Sequence, residues 1–126
     1  MTSAETQWQA VGEPSAEMQW QAVCEQHVLE EGLGRSVLLQ GEVIALFRCG
    51  GHIYALDGMD PVAAAPVIAL GLVGDCQGEP MVASPIYKQR YSLRDGRCLD
   101  NSALRLRSWR VKVDGEQVWL AGCATD

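Results

Sequence analysis

The sequence predicts an all-β domain of antiparallel strands, on two observations. Short runs rich in Val, Leu, Ile, Trp and Tyr recur along the chain, and Gly-centred turns join them. Residues 19–24 alternate polar and apolar side chains, as a half-buried strand does. Residues 36–40 and 43–48 flank Gly41, and Cys49-Gly50-Gly51-His52 joins 43–48 to 53–57 as a tight hairpin. Further on, 90–93 and 97–99 flank Asp95-Gly96, and 109–113 and 117–121 flank Asp114-Gly115. Such turns need positive backbone φ, which Gly supplies without steric cost, so each is a specific hairpin signal. Residues 27–31 are expected to form one helical turn, and the Ala-rich stretch 62–70 a loop with a short helix. Neither is long enough to change the class.

Residues 58–85 differ in texture. Pro61, Pro66, Pro80 and Pro85 occur there with four Gly and no clear period, which predicts two long connections, 58–73 and 74–85. Long ordered loops in compact domains often carry function, so functional residues are expected in this stretch.

A length of 126 residues fits one domain, and 48% apolar with 21% charged residues marks a folded chain. The net charge of −6 is unevenly distributed. Residues 1–87 hold eleven acids and two bases, whereas residues 88–126 hold eight bases and five acids. The acidic balance argues against nucleic acid as a partner, while the local basic segment can meet an acidic one. No apolar run reaches the length of a membrane span, and the first residues lack the hydrophobic core of a signal peptide. A cytoplasmic protein without a membrane partner is expected, and five Cys, an odd number, fit free thiols better than a disulfide framework.

Residues 3–11 recur as residues 15–23, identical at eight of nine positions with an offset of twelve. One tandem copy is too short for a solenoid. Residues 1–18 are therefore expected to form a duplicated, mobile leader, 19–123 the domain and 124–126 a tail. Only one copy can occupy the first strand.

Two Cys-x-x-His pairs, Cys24/His27 and Cys49/His52, could together make a tetrahedral zinc site. Against this, Cys49 and His52 are more simply the two residues that flank a hairpin turn. Cys76, Cys98 and Cys123 have no nearby His and read as buried or inert thiols. Nucleophilic catalysis finds no support, because no Gly-x-Ser-x-Gly, phosphate-binding loop or dinucleotide fingerprint is present. Asp57 and Asp60 could be paired carboxylates, although strand end and Pro61 favour turn formation.

The segment 84–93, Ser-Pro-Ile-Tyr-Lys-Gln-Arg-Tyr-Ser-Leu, together with Asp60-Pro61-Val62, resembles the two ligand loops of a Rieske domain. There Cys-x-His and Cys-x-x-His hold a 2Fe-2S cluster, two Cys on one iron and two His on the other. By that resemblance Asp60 and Ser84 stand in the Cys positions, Val62 and Tyr87 in the His positions, and all four ligands are missing. Val62 cannot coordinate metal, and the oxygen atoms of Asp, Ser and Tyr are hard ligands where the cluster needs thiolate and imidazole. The resemblance implies a Rieske-like antiparallel β-sandwich or barrel, with a smaller loop-rich subdomain where the cluster would sit. Tyr87, Met59 and Val62 are expected to fill the cluster's space.

More narrowly, residues 54–57, 60–61, 71–75, 79–80, 82–85, 87–90 and 96–100 resemble the small subunits of assimilatory NAD(P)H-dependent nitrite reductase, over roughly residues 19–121. In that family a large subunit carries flavin, sirohaem and an iron–sulfur cluster and reduces nitrite to ammonia. The resemblance implies an accessory chain with no cofactor of its own, not catalytic by itself, that binds this large subunit. The alternatives are a zinc module built on the Cys-x-x-His pairs and a Rieske-like partner of another oxidoreductase. The contact is expected at the two former cluster loops, through Tyr87, Lys88, Gln89 and Arg90 with Gly58, Met59 and Asp60 opposite. Strand alternation would put Lys88 and Arg90 on one face and Tyr87, Gln89 and Tyr91 on the other.

Overall fold

The computed structural model of the chain describes residues 20–123. The leader and tail expected from the sequence lie outside them. Six strands form one antiparallel sheet in the order β1-β9-β8-β4-β3-β2: β1 (Gln21–Glu25), β2 (Gly34–Leu39), β3 (Glu42–Cys49), β4 (His52–Asp57), β8 (Ser108–Asp114) and β9 (Gln117–Cys123). Three more, β5 (Leu72–Cys76), β6 (Glu79–Ala83) and β7 (Arg90–Ser92), make a small sheet in the order β5-β6-β7. The edge strands β1 and β2 approach each other, so the large sheet curls toward a barrel.

Alternation explains how the sheets share the core. In β3 the apolar run has Ile44 and Leu46 on one face, packed with Leu29, Leu39, Ala55, Val118 and Leu120 inside the curled sheet. Ala45 and Phe47 point the other way, into a second cluster with Leu56, Ile68, Val82, Tyr91 and Leu106 under the small sheet. A strand buried on both faces reads as a continuous apolar run, and 44–47 is one.

The predicted hairpins form: Cys49 pairs with His52 across Gly50-Gly51, and Asp114 with Gln117 across Gly115-Glu116. A 3-10 turn at Gln26–Val28 stands where a helical turn was expected at 27–31, and a second at Ile68–Leu70 ends the Ala-rich stretch. Two elements differ from expectation. Residues 97–99 make only isolated bridges, Arg97 to Arg105 and Tyr91 to Cys98. The stretch 74–85 is no connection; β5 and β6 pair across Gln77-Gly78, both with positive φ (53° and 86°). Pro80 disguised this hairpin. It is tolerated because β7 pairs only with Met81, Val82 and Ala83, and beyond β7 Pro80 contributes only its carbonyl, which accepts from the Leu93 N–H (2.9 Å).

Candidate functional site

Two loops meet at one end of the small sheet. The first leaves β4 at Gly58, whose N–H donates to the Val43 carbonyl (2.9 Å) and whose carbonyl accepts from the Ile68 N–H (3.1 Å). A Cβ here would lie 2.7 Å from Val43 Cγ1, so this buried Gly sets how the loop departs. The Asp60 N–H donates to the Ala65 carbonyl (2.8 Å), and Asp60 Oδ1 accepts from the N–H groups of Val62 (2.8 Å) and Ala63 (3.2 Å). This is the turn-forming role expected of an Asp before Pro. The second loop closes on itself: the Ser84 N–H donates to the Gln89 carbonyl (2.9 Å) and the Lys88 N–H to the Ser84 carbonyl (3.0 Å). Lys88 takes φ +67° to complete the turn.

The loops are joined through Asp60. Ser84 Oγ donates to Asp60 Oδ2, and Gln89 Nε2 donates to Asp60 Oδ1 (2.9 Å) and to the Tyr91 hydroxyl (3.1 Å). The Ile86 N–H donates to Ser84 Oγ (3.2 Å). Asp60 and Tyr91 have no solvent exposure and Ser84 has 1%. Burial pushes the Asp60 carboxyl up. Donation from Ser84, from the Ala63 and Val62 N–H groups and from Gln89 outweighs it, and the carboxyl sits below the ordinary carboxylate range. Burial raises the Tyr91 phenol, with the Asp60 charge adding to it and the Gln89 bond opposing it.

This network occupies the interior that was expected to be filled by Tyr87, Met59 and Val62. Those three face outward instead, 61%, 48% and 45% exposed. The alternation expected over 87–91 is absent because residues 85–87 form a turn, and β7 begins only at Arg90. Of the contact residues named from the sequence, Met59, Tyr87 and Lys88 are exposed; Gly58 and Asp60 are buried; Gln89 and Arg90 are half-buried. The Arg90 guanidinium is engaged within the chain, by Asp100 (Nη2 to Oδ1, 2.7 Å) and by Cys76 Sγ (Nη1, 3.3 Å). Sequence reasoning missed Ile86, 47% exposed beside Tyr87; strand alternation would have put the two on opposite faces, whereas the turn at residues 85–87 exposes both.

The donor set does not fit an iron–sulfur cluster. The positions that the resemblance assigns to the Cys ligands hold a carboxylate and a hydroxyl hydrogen-bonded to each other, and those it assigns to the His ligands hold an aliphatic side chain and a phenol facing outward. The Cys-x-x-His pairs do not converge either. Cys49 and His52 face each other across the hairpin, while His27 lies against Glu25 (3.3 Å) and Glu116 (3.5 Å). Among the described residues no three His, Cys, Asp or Glu side chains are grouped to hold a metal. Cys24, Cys49, Cys76 and Cys98 are free thiols.

A curled antiparallel sheet, a small second sheet and two loops meeting at its end define the Rieske-like class, and the family model described as Rieske-like [2Fe-2S] domain matches residues 19–121. Within that class the chain belongs to the nitrite reductase (NADH) small subunit family. It is 35% identical over 101 residues to the nitrite reductase (NADH) small subunit of Salmonella typhimurium, covering 79% of this chain and 94% of that one. A 45% identity over 97 residues links it to a nitrite reductase [NAD(P)H] large subunit from Klebsiella oxytoca, of which it spans only 10% while 77% of this chain is covered. Among solved structures, a putative NADH-dependent nitrite reductase small subunit from Mycobacterium tuberculosis superposes with a TM-score of 0.80 at 36% identity, covering 86% of this chain and 98% of that one. The ferredoxin of carbazole 1,9a-dioxygenase from Nocardioides aromaticivorans shares the fold, with a TM-score of 0.71 at 21% identity over 82% of this chain and 97% of that one.

Proposed function

We propose that the chain is the accessory small subunit of an assimilatory NAD(P)H nitrite reductase, free of any cofactor, and that it docks on the catalytic large subunit through its two former cluster loops. The observation that carries this is the Asp60–Ser84 hydrogen bond, which closes the loops where a cluster would otherwise hold them. The flavin, sirohaem and iron–sulfur cluster expected on the large subunit would supply the redox chemistry of nitrite reduction, and the part of this chain would be to bind that subunit. The match to a segment of the Klebsiella large subunit supports the partnership, because there the same domain is part of a chain with that name. The outward side chains Met59, Val62, Ile86, Tyr87 and Lys88 form the docking end, an apolar surface with one cation. Gly58, Asp60, Gln89 and Arg90 act behind it by holding the loops. Free thiols accord with a cytoplasmic complex. Among the described residues no helix is long and apolar enough to cross a membrane.

Mixing the purified chain with its cognate large subunit should give a co-eluting complex and changed nitrite turnover. Separate elution with unchanged kinetics would refute the role. A visible iron–sulfur band or stoichiometric zinc in anaerobically purified protein would favour a metal-bearing module instead.

A further inference from the structure

The duplicated sequence has a structural counterpart. Strand β1 is a sheet edge, strand-paired among the described residues with β9 alone, with Gln21 opposite Leu120, Ala22 opposite Trp119, a bulge, then Cys24 opposite Val118 and Glu25 opposite Gln117. Val23 and Cys24 pack against the core of the curled sheet, and Trp20 lies over the Lys112 ammonium (4.8 Å). Twelve residues upstream, Gln7, Trp8, Gln9, Ala10, Val11 and Glu13 repeat Gln19, Trp20, Gln21, Ala22, Val23 and Glu25, with Gly12 for Cys24 as the one difference.

We propose that the β9 edge is a strand-binding site with two ligands in the same chain: residues 21–25, which hold it as β1, and residues 9–13, the upstream copy of that strand, which can take the same register. Since pairing and core contact are determined by side-chain identity at each register position, the upstream copy offers the same Gln, Ala, Val and Glu to the same partners. Exchange breaks a single ladder, because among the described residues β1 is strand-paired with β9 alone. It leaves residues 14–25 as a loop between Glu13 and Gln26, and closure entropy rises only slowly with loop length.

Two differences explain why residues 21–25 win. Gly12 removes the half-buried Cys24 side chain. Pro14 would stand where Gln26 donates its N–H to the Glu116 carbonyl (2.7 Å) and its Nε2 to the Gly115 carbonyl (2.9 Å), and proline has neither donor. The upstream copy is thus a weaker second ligand that holds the slot when the first is lost, protecting a short edge strand against local opening.

The test uses three full-length variants: Val23→Asp in β1, Val11→Asp upstream, and both together. Val11→Asp should leave Tm unchanged, Val23→Asp should lower it, and the double variant should fall at least about 5 °C below Val23→Asp. Equal Tm for Val23→Asp and the double variant overturns the proposal. So does failure of Val23→Asp to fold, since the upstream copy then cannot replace β1. A gap between these two variants that widens with protein concentration places the upstream strand of a second copy in the slot, and overturns exchange within one chain.

Discussion

Asp60 is a carboxylate without solvent contact, held by four donors: Ser84 Oγ, Gln89 Nε2 and the N–H groups of Val62 and Ala63. Removing it strands those donors in the interior. Asp60→Ala should cost about 2–4 kcal/mol, read by chemical denaturation. The pH dependence has a definite sign. The folded carboxyl lies below its unfolded value of about 3.9, so its stabilisation is complete above that value and is lost as pH falls through the folded pKa. Asp60→Ala should therefore destabilise most near neutral pH, and the gap to the parent chain should narrow at the acid end. A gap that stays constant down to about pH 3 would mean that the ionised form contributes nothing. That position 60 lacks a thiolate is legible from the residue alone. That its oxygen atoms meet Ser84 and Gln89, 24 and 29 residues away, is not, because no local pattern encodes such a pairing.

Among the elements, the turn after β7 shows how a local signal acquires a tertiary reason. Gly96 has φ +82°, as an Asp-Gly turn predicts, and a Cβ there would also lie 2.0 Å from the Leu106 carbonyl oxygen. Its own carbonyl accepts from the Leu106 N–H (2.8 Å). Gly96→Ala should cost about 3 kcal/mol or more, by thermal or denaturant unfolding, from backbone strain and clash together. A cost below about 1 kcal/mol would show that residues 104–106 can move aside. Elsewhere the Arg107 guanidinium ties the end of β4 to the start of β3, through Asp57 (Nε to Oδ2, 2.9 Å) and Glu42, and lies 5.1 Å from the Trp109 ring. These groups are partly exposed, so Arg107→Ala should cost only about 1 kcal/mol, and less in high salt. The Gly-Gly and second Asp-Gly hairpins were legible because their turns are defined by adjacent residues. The β5–β6 hairpin was hidden because Pro80 is acceptable in β6 only given where β7 ends.

For the whole molecule, folding brings together part of the charge that the sequence keeps apart. Bases from the second half meet acids from the first: Arg107 pairs with Glu42 and Asp57, and Arg94 and Arg97 lie near Glu79 (both 3.7 Å). Arg90 is taken by Asp100. Lys88 has no ion pair among the described residues and stands exposed beside Tyr87. Lys88→Glu should slow association with the large subunit and weaken its salt dependence, while Tyr87→Ser should mainly speed dissociation. Both should leave Tm within about 2 °C of the parent chain, because neither side chain is buried. Unchanged association and dissociation rates in both variants would move the contact to another face.

By itself the sequence determined the antiparallel class, most of the turns and the residue types at positions 60, 62, 84 and 87, since each depends on residue identity at adjacent or motif-spaced positions. Only the tertiary structure decided which loop residues face outward and what fills the space between the two loops. Tyr87, Met59 and Val62 are apolar or amphipathic enough for an interior, yet the turn at residues 85–87 and the Asp60 carboxylate give that space to a polar network. The physical reason is that burial and partnership arise where distant segments meet. A buried carboxylate becomes tolerable only when donors from both loops converge on it.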